Sequence, residues 1–279
     1  MQANIQKKVA YPLIISDFDG TLVGSDGNIP QANKEAIAEY GKNGGTFVIS
    51  TGRMHYGILP RVRELGLNGF VSCGHGALII DVKSGEIIFS KTILAETTAR
   101  ICEKMEELDL HFNVYDQDVF YSNKVSERLR RYENALNVKA VLVQDKPLSR
   151  YVRENGICAY HVLAFVTAED NPWIIETMSK CVFEGCEITK SSDTLVEAVN
   201  ASCSKGTALA FLAERLGIST EKVIAVGDQW NDLPMIERAG LGFAVNNAND
   251  RLKEKAIVLK RSNDEGSIAE LIEKYAYSK

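Results

Sequence analysis

What the chain lacks narrows its class. No apolar run approaches the roughly 20 residues that a membrane-spanning helix needs. Near the N-terminus the apolar stretch Tyr11 to Ser16 follows two lysines but runs straight into acids, which is not the apolar region of a secretion signal. Six cysteines (73, 102, 158, 181, 186 and 203) form no C-x-x-C pair, and no histidine stands beside Cys181 and Cys186 to complete a zinc set. The expectation is buried, reduced thiols in a cytoplasmic protein. The four histidines, at 55, 75, 111 and 161, are dispersed and make no metal-ligand spacing. Repeats and low-complexity tracts are absent. So is any excess of positive charge: 32 Lys and Arg against 37 acids give a net charge of −5. That balance argues against a nucleic acid or an anionic membrane as a partner held by charge.

What is present is the composition of a globular protein, with 45% hydrophobic and 25% charged residues over 279 positions. The length exceeds a typical single domain of about 100–200 residues. Short apolar runs, Leu13 to Ser16, Thr46 to Ser50 and Phe70 to Cys73, alternate with helical stretches that Gly44, Gly45 and Gly66 terminate. This pattern predicts βαβ units on a parallel sheet. It returns late in the chain. A helix is expected after Ser204, a strand at Val223 to Val226, a helix through Arg238 and a strand at Gly242 to Val245. Between the two halves the grammar changes to strands punctuated by turns (87–89, 112–115, 119–121, 160–166 and 186–189) with amphipathic helices. The fold expected is a doubly wound, Rossmann-like α/β core (residues 1–83 and 192–279) with an inserted α+β domain at 84–191.

Two acidic motifs stand at strand ends, where open parallel sheets bind ligands. Asp17-Phe18-Asp19-Gly20-Thr21 follows the first strand, and Gly227-Asp228-Gln229-Trp230-Asn231-Asp232 follows the apolar run VIAV. Period two sends Asp17 and Asp19 to one side of an extended chain. Carboxylates so close repel unless a cation lies between them. Hard oxygen donors from two loops suit Mg²⁺. Ser50-Thr51-Gly52-Arg53 offers a hydroxyl and amides at a helix start, and Lys205 opens another helix; both positions favour an anion. Arg53 is read either as a substrate contact or as a structural ion pair. Trp230 is read as packing, and Asp116, Asp118 and Tyr121 as hairpin residues.

The ordered set DFDGT, STGR, Lys205-Gly206 and GDQWND resembles the haloacid dehalogenase superfamily of phosphohydrolases. Too few residues separate Asp17 from Thr51 to hold a domain, whereas the long interval from Thr51 to Lys205 holds the insert. That placement resembles the Cof type, whose α/β cap follows the second motif. FVSCGHGALII is similar to a stretch of that type, with His75 in place of the usual Asn. The resemblance implies that Asp17 is the nucleophile and Asp19 the acid and base. It implies Mg²⁺ held by the carboxylates of Asp17 and Asp228 and the carbonyl of Asp19. Thr51, Gly52, Lys205 and Asn231 would bind the phosphoryl group, and Asp232 would steady Lys205 or a metal-bound water. The activity implied is hydrolysis of a small phosphorylated metabolite, a sugar phosphate first, through an aspartyl-phosphate. Thr21, where related mutases often carry Val, favours this over a phosphomutase. A non-catalytic metabolite-binding regulator on the same fold is the third reading.

Overall fold

The structure is a computed structural model that describes residues 7–278. The first six residues, part of the segment read as no secretion signal, lie outside it. Two sheets organise the chain. The larger contains β1 (Leu13–Ser16), β2 (Thr46–Ser50), β3 (Phe70–Cys73), β4 (Leu78–Asp81) and β5 (Ile87–Ser90). The smaller contains β6 (His111–Tyr115), β7 (Phe120–Ser122), β8 (Val141–Leu142), β9 (His161–Phe165), β10 (Cys186–Ser192) and β11 (Leu195–Asn200). The chain then returns to the larger sheet as β12 (Val223–Gly227), β13 (Leu241–Ala244) and β14 (Ile257–Val258).

The larger sheet runs β14-β13-β12-β1-β2-β3-β4-β5, parallel from β14 to β3 and antiparallel beyond. Every residue of β1 is buried, as a strand covered on both faces requires. Helices α1 (Gln31–Lys42) and α2 (His55–Glu64) follow β1 and β2. On the far side of the chain order, α7 (Lys205–Arg215) and α8 (Leu233–Arg238) flank β12. Because β1 lies between β2 and β12, its carboxyl end is the switch point at which a crevice opens.

The smaller sheet runs β10-β11-β9-β6-β7-β8. Alternation along its strands divides the side chains between two faces. Phe112, Val114, Val162, Ala164, Val196 and Ala198 pack beneath α3 (Ala95–Glu107), α5 (Leu148–Asn155) and α6 (Asn171–Ser179) as a separate apolar cluster. Their neighbours Tyr115, His161, Leu163, Leu195 and Glu197 face the other way, toward the larger sheet. There α4 (Glu127–Leu136) joins them.

Two expected boundaries move. The turn at Ser84-Gly85 is a hairpin inside the larger sheet: Asp81 accepts bonds from the Lys83 and Ser84 amides, Gly85 has φ +77°, and β5 pairs with β4. At the other end, the chain turns from β10 into β11 within the smaller sheet. The crossings therefore fall near 91–93 and 200–203, not at 84 and 191. There the two passing segments hold each other through Asn200 Nδ2 to the Thr92 carbonyl (3.0 Å) and Lys91 Nζ to Ser202 Oγ (3.0 Å). No helix among the described residues is long and apolar enough to cross a membrane. All six cysteines are free. Cys73, Cys102 and Cys203 are buried as expected, while Cys158, Cys181 and Cys186 are half-buried.

Candidate active site

Asp17 continues β1 by donating its amide to the Val226 carbonyl (2.9 Å), so its side chain emerges where β1 and β12 end together. Lys205 reaches it from the first turn of α7. Ser204 and Thr207 cap that turn reciprocally, a device worth about 0.5–2 kcal/mol, and fix where Lys205 starts. The ammonium lies 2.5 Å from Asp17 Oδ1 and 2.5 Å from Asp232 Oδ1, and all three residues are buried. Asp232 Oδ2 accepts the amides of Asp228 (2.9 Å) and Gln229 (3.0 Å), so both its oxygens are engaged. Asp228 in turn accepts the Thr21 hydroxyl (2.8 Å) and Gln229 Nε2 (3.1 Å).

Glycines permit this crowding. At Gly20, with φ +78°, a Cβ would stand 2.6 Å from Asp228 Oδ2; at Gly227 it would stand 2.4 Å from the Asp232 carboxylate. Neither acid could stay in place beside a side chain.

The carboxylates of Asp17, Asp228 and Asp232 each offer an oxygen within 4.8 Å of the others. Burial pushes Asp17 well above the usual carboxylate range despite Lys205, and Asp232, Asp228 and Asp19 push it further. Asp228 is pushed up to about 6, first by burial and then by Asp232. Asp17 and Asp232 hold Lys205 charged against its own burial. Three buried acids and one lysine leave negative charge uncompensated, and the donors are hard oxygens; the set fits Mg²⁺.

Asp19 differs from Asp17. Its side chain is 51% exposed and forms a bidentate pair with Arg53, at 2.8 and 2.6 Å. Arg53 also lies over the Phe18 ring, 5.0 Å from its centroid. The turn at Gly20 thus separates the environments of two acids that alternation puts on one side, yet both line the same cavity of about 260 Å³. Thr51, Gly52, Lys205 and Asn231 line it as well. Thr51 Oγ1 accepts the Arg53 amide (3.1 Å).

His75 occupies the turn from β3 to β4 with φ +58°. Its ring packs on Gly52 so closely that a Cβ there would be 2.6 Å from the imidazole. Its Nε2 lies 2.7 Å from Glu197 Oε2 on β11, and its Nδ1 lies 3.4 Å from Asn231 Nδ2. His161 stands edge-on to it at 5.7 Å. Two of the four dispersed histidines thus meet at the cavity. His111 instead bonds Ser122 and Ser126, and His55 sits against Tyr56. Trp230 packs under the Arg251 guanidinium (4.1 Å), and Asp116 closes its hairpin by its amide to Val119. Tyr121 rests against Tyr151, 5.5 Å between ring centroids.

The family model for haloacid dehalogenase-like hydrolases matches residues 14–272. The chain belongs to the haloacid dehalogenase-like hydrolases. A stress response protein of Bacillus subtilis is 30% identical over 274 residues, covering 94% of this chain and 92% of its own. A pyridoxal phosphate phosphatase of Escherichia coli is 27% identical over 265 residues, 93% of this chain and 97% of that one. The structure of a haloacid dehalogenase-like hydrolase from B. subtilis superposes with TM-score 0.85 at 25% identity, over 95% of this chain and 99% of that chain. This haloacid dehalogenase-like hydrolase is a phosphatase of small phosphorylated compounds, and its smaller sheet enters between the second and third motifs, as the Cof type requires.

Sequence reasoning missed Glu197, Tyr132 and Leu136, which complete the cavity wall. Glu197 carried one signal, an acid inside the apolar alternation Leu195 to Val199. Tyr132 and Leu136 carried none beyond helical spacing.

Proposed function

We propose that the chain is a Mg²⁺-dependent phosphatase that hydrolyses a sugar phosphate-like monoester through an aspartyl-phosphate on Asp17. The observation that supports this most is the buried group Asp17, Asp228 and Asp232 set against the single cation Lys205. Such a group is poised to share one divalent ion and one dianionic phosphoryl group. The carboxylates of Asp17 and Asp228 and the Asp19 carbonyl would hold Mg²⁺. When bound, the ion supplies positive charge that lets an anionic nucleophile approach an anionic phosphate.

The remaining work falls to the chain itself. Asp17 Oδ attacks phosphorus in line while the ester oxygen leaves on the opposite side. Lys205, the Thr51 hydroxyl, the Gly52 amide and Asn231 hold the non-bridging oxygens, where charge is spread in the transition state. Asp232 orients Lys205 and clamps the loop at 228–229. Asp19 gives its proton to the departing alkoxide, then takes one from the water that cleaves the acyl phosphate, returning Asp17 and releasing inorganic phosphate. Arg53 holds the Asp19 carboxylate at the cavity edge between these tasks. The face of the smaller sheet covers the substrate and excludes bulk water during the chemistry.

The test is release of inorganic phosphate from a generic aryl phosphate with Mg²⁺ and with excess chelator. Turnover that depends on the metal and disappears in Asp17→Asn supports the reading; full turnover in chelator overturns the role of the metal.

A further inference from the structure

Gly74-His75-Gly76, the turn from β3 to β4, belongs to none of the four motifs. Yet it touches the second, the fourth and the start of the helix that carries the third. All three residues have positive φ (+54°, +58° and +93°), which is uncommon for a residue with a side chain such as His75. Contact on every side holds the turn there. The Gly74 amide donates to the Arg53 carbonyl and the His75 amide to the Thr51 carbonyl, both at 3.1 Å. Gly76 lies so close to the N-terminus of α7 that a Cβ would stand 2.3 Å from the Ser204 carbonyl oxygen.

These contacts decide where two phosphate donors point. The Thr51 carbonyl and the Gly52 N–H belong to one trans peptide group and so point in opposite directions. Holding the carbonyl on His75 therefore aims the Gly52 amide, and the imidazole fills the space a side chain at Gly52 would need. Asn231 is held more lightly. Its Oδ1 is buried without a partner, and the contact of Nδ2 with His75 Nδ1 (3.4 Å) is the one hydrogen bond of that side chain among the described residues. An amide with one contact faces the way that contact dictates.

The state of the imidazole is set from the smaller sheet. Its Nε2 lies 2.7 Å from Glu197 Oε2, and Ser191 Oγ donates to Glu197 Oε1. Burial raises the Glu197 pKa, but His75 more than offsets this and brings it down to about 2. An ionised carboxylate only accepts, so the shared hydrogen lies on Nε2. Nδ1 is then the bare nitrogen. It accepts from Asn231 Nδ2, whose second hydrogen is left for a phosphoryl oxygen. With the hydrogen on Nδ1 two donors would face each other, and the amide would have to turn.

We infer that His75 is a positioning residue for phosphoryl transfer: its amide aims the Gly52 N–H, its Nδ1 holds the Asn231 side chain, and Glu197 fixes its ring from the smaller sheet. The inference rests on the phosphatase reading and concerns the phosphoryl end of the site, not the leaving group. Two donors to the phosphoryl oxygens thereby depend on how one sheet is seated on the other.

The test separates this role from that of a buried pair that merely stabilises. His75→Asn suits the positive φ, which Asn tolerates, but is too short to reach both Glu197 and Asn231. With a nitrophenyl phosphate and Mg²⁺ it should lower kcat about 10–100-fold and leave KM within about threefold. Asn231→Ala should lower kcat about 10²-fold. The double variant should fall less than about threefold below Asn231→Ala alone, because the amide has already lost its aim. Glu197→Gln keeps the size of the side chain and tests the ring without removing it. Nitrogen NMR of the His75 ring should show the hydrogen on Nε2 in the parent and a mixture of tautomers in this variant, with kcat about tenfold lower. Thermal melts of each variant establish that the protein assayed is folded. Losses that multiply in full in the double variant overturn the inference, as does a parent His75 ring with hydrogen on Nδ1. Phosphate release by the unsubstituted protein is the separate control. Its failure alongside the expected tautomer would refute the catalytic reading and leave the ring geometry standing.

Discussion

At the Asp17 end of the cavity each charged side chain is held by another charge, by backbone amides of its loop or, for Asp228, by the Thr21 hydroxyl and the Gln229 side chain. The wall given by the smaller sheet is apolar side chains and hydroxyls around a single His75–Glu197 pair. The first end is over-determined: Asp232 cannot move without releasing Lys205 and two loop amides, and Gly20 and Gly227 admit no side chain at all. Apart from that pair, the second end is made of separate residues on a sheet face, each replaceable without dislodging the next. One end sets a reaction by geometry, the other a preference by shape. Substitutions at the two ends should therefore differ in kind as well as in size.

The largest effect belongs to the nucleophile. Asp17→Asn should lose at least about 10⁴-fold in turnover of every ester, with no burst of product, as read by rapid-mixing absorbance with a nitrophenyl phosphate. A surviving burst would assign the nucleophile elsewhere.

Asp19→Asn comes next and separates the two proton transfers. Sugar phosphates, whose alkoxide leaves poorly, should lose about 10²–10⁴-fold. A nitrophenyl phosphate needs no acid for its departure. It should give one equivalent of nitrophenol and then slow turnover, with phosphate retained on Asp17. Turnover of both substrates at the unsubstituted rate would remove Asp19 from the mechanism.

Asp228→Asn should fall at least about 10²-fold at ordinary Mg²⁺ concentrations, yet the metal-free variant should be the more stable protein. The Asp228 carboxyl is raised from 3.8 to about 6, so its ionisation opposes folding. The penalty is absent below the ordinary carboxylate pKa and complete above about 6. In chelator the variant should gain on the order of 1–2 kcal/mol over the parent at pH 7. The gain should vanish near pH 4. Thermal melts across that range, with and without Mg²⁺, check the sign; a gain that grows toward low pH would contradict it.

The smallest effects compare two neighbours on β9. Val162 faces the helices and Leu163 the cavity. Val162→Ala should cost about 1–3 kcal/mol of stability and leave kinetic constants unchanged. Leu163→Ala should raise KM for a sugar phosphate several-fold with less change in kcat. Denaturant melts and initial rates on both variants decide whether the sheet has the two separate faces described.

Much of this was legible before the fold was known. The strands of the larger sheet are continuous apolar runs that end abruptly in polar loops, so β1, β2, β3 and β12 and the motifs after them could be read locally. The acids, Thr51 and Lys205 follow from where a strand stops or a helix starts. The sheet to which a strand belongs is not a local property. Ile87–Ser90 looks the same whether it pairs with β4 or with a strand of the insert, and only the partner decides. β11 was missed because Glu197 interrupts its apolar pattern, and that interruption is the feature that gives the strand its place at the cavity. His75 and His161 stand far apart in sequence and meet only because β11 carries Glu197 between two sheets.

The pairing of β1 with β12 has a consequence in time. Thr21 and Asp228 bond across 207 residues of intervening chain, and the whole smaller sheet is spelled out between them. On a ribosome, Asp17 emerges early but lacks Lys205, Asp228 and Asp232 until the larger sheet can close around β12. Such long-range parallel pairing is slow, because loop closure precedes any contact that rewards it. The nascent chain must therefore carry an exposed β1 edge while the insert folds on its own apolar cluster. The reactive constellation cannot exist until β12 and the loop through Asp232 have followed the smaller sheet, so a chain that stops before them has no means of handling a phosphate.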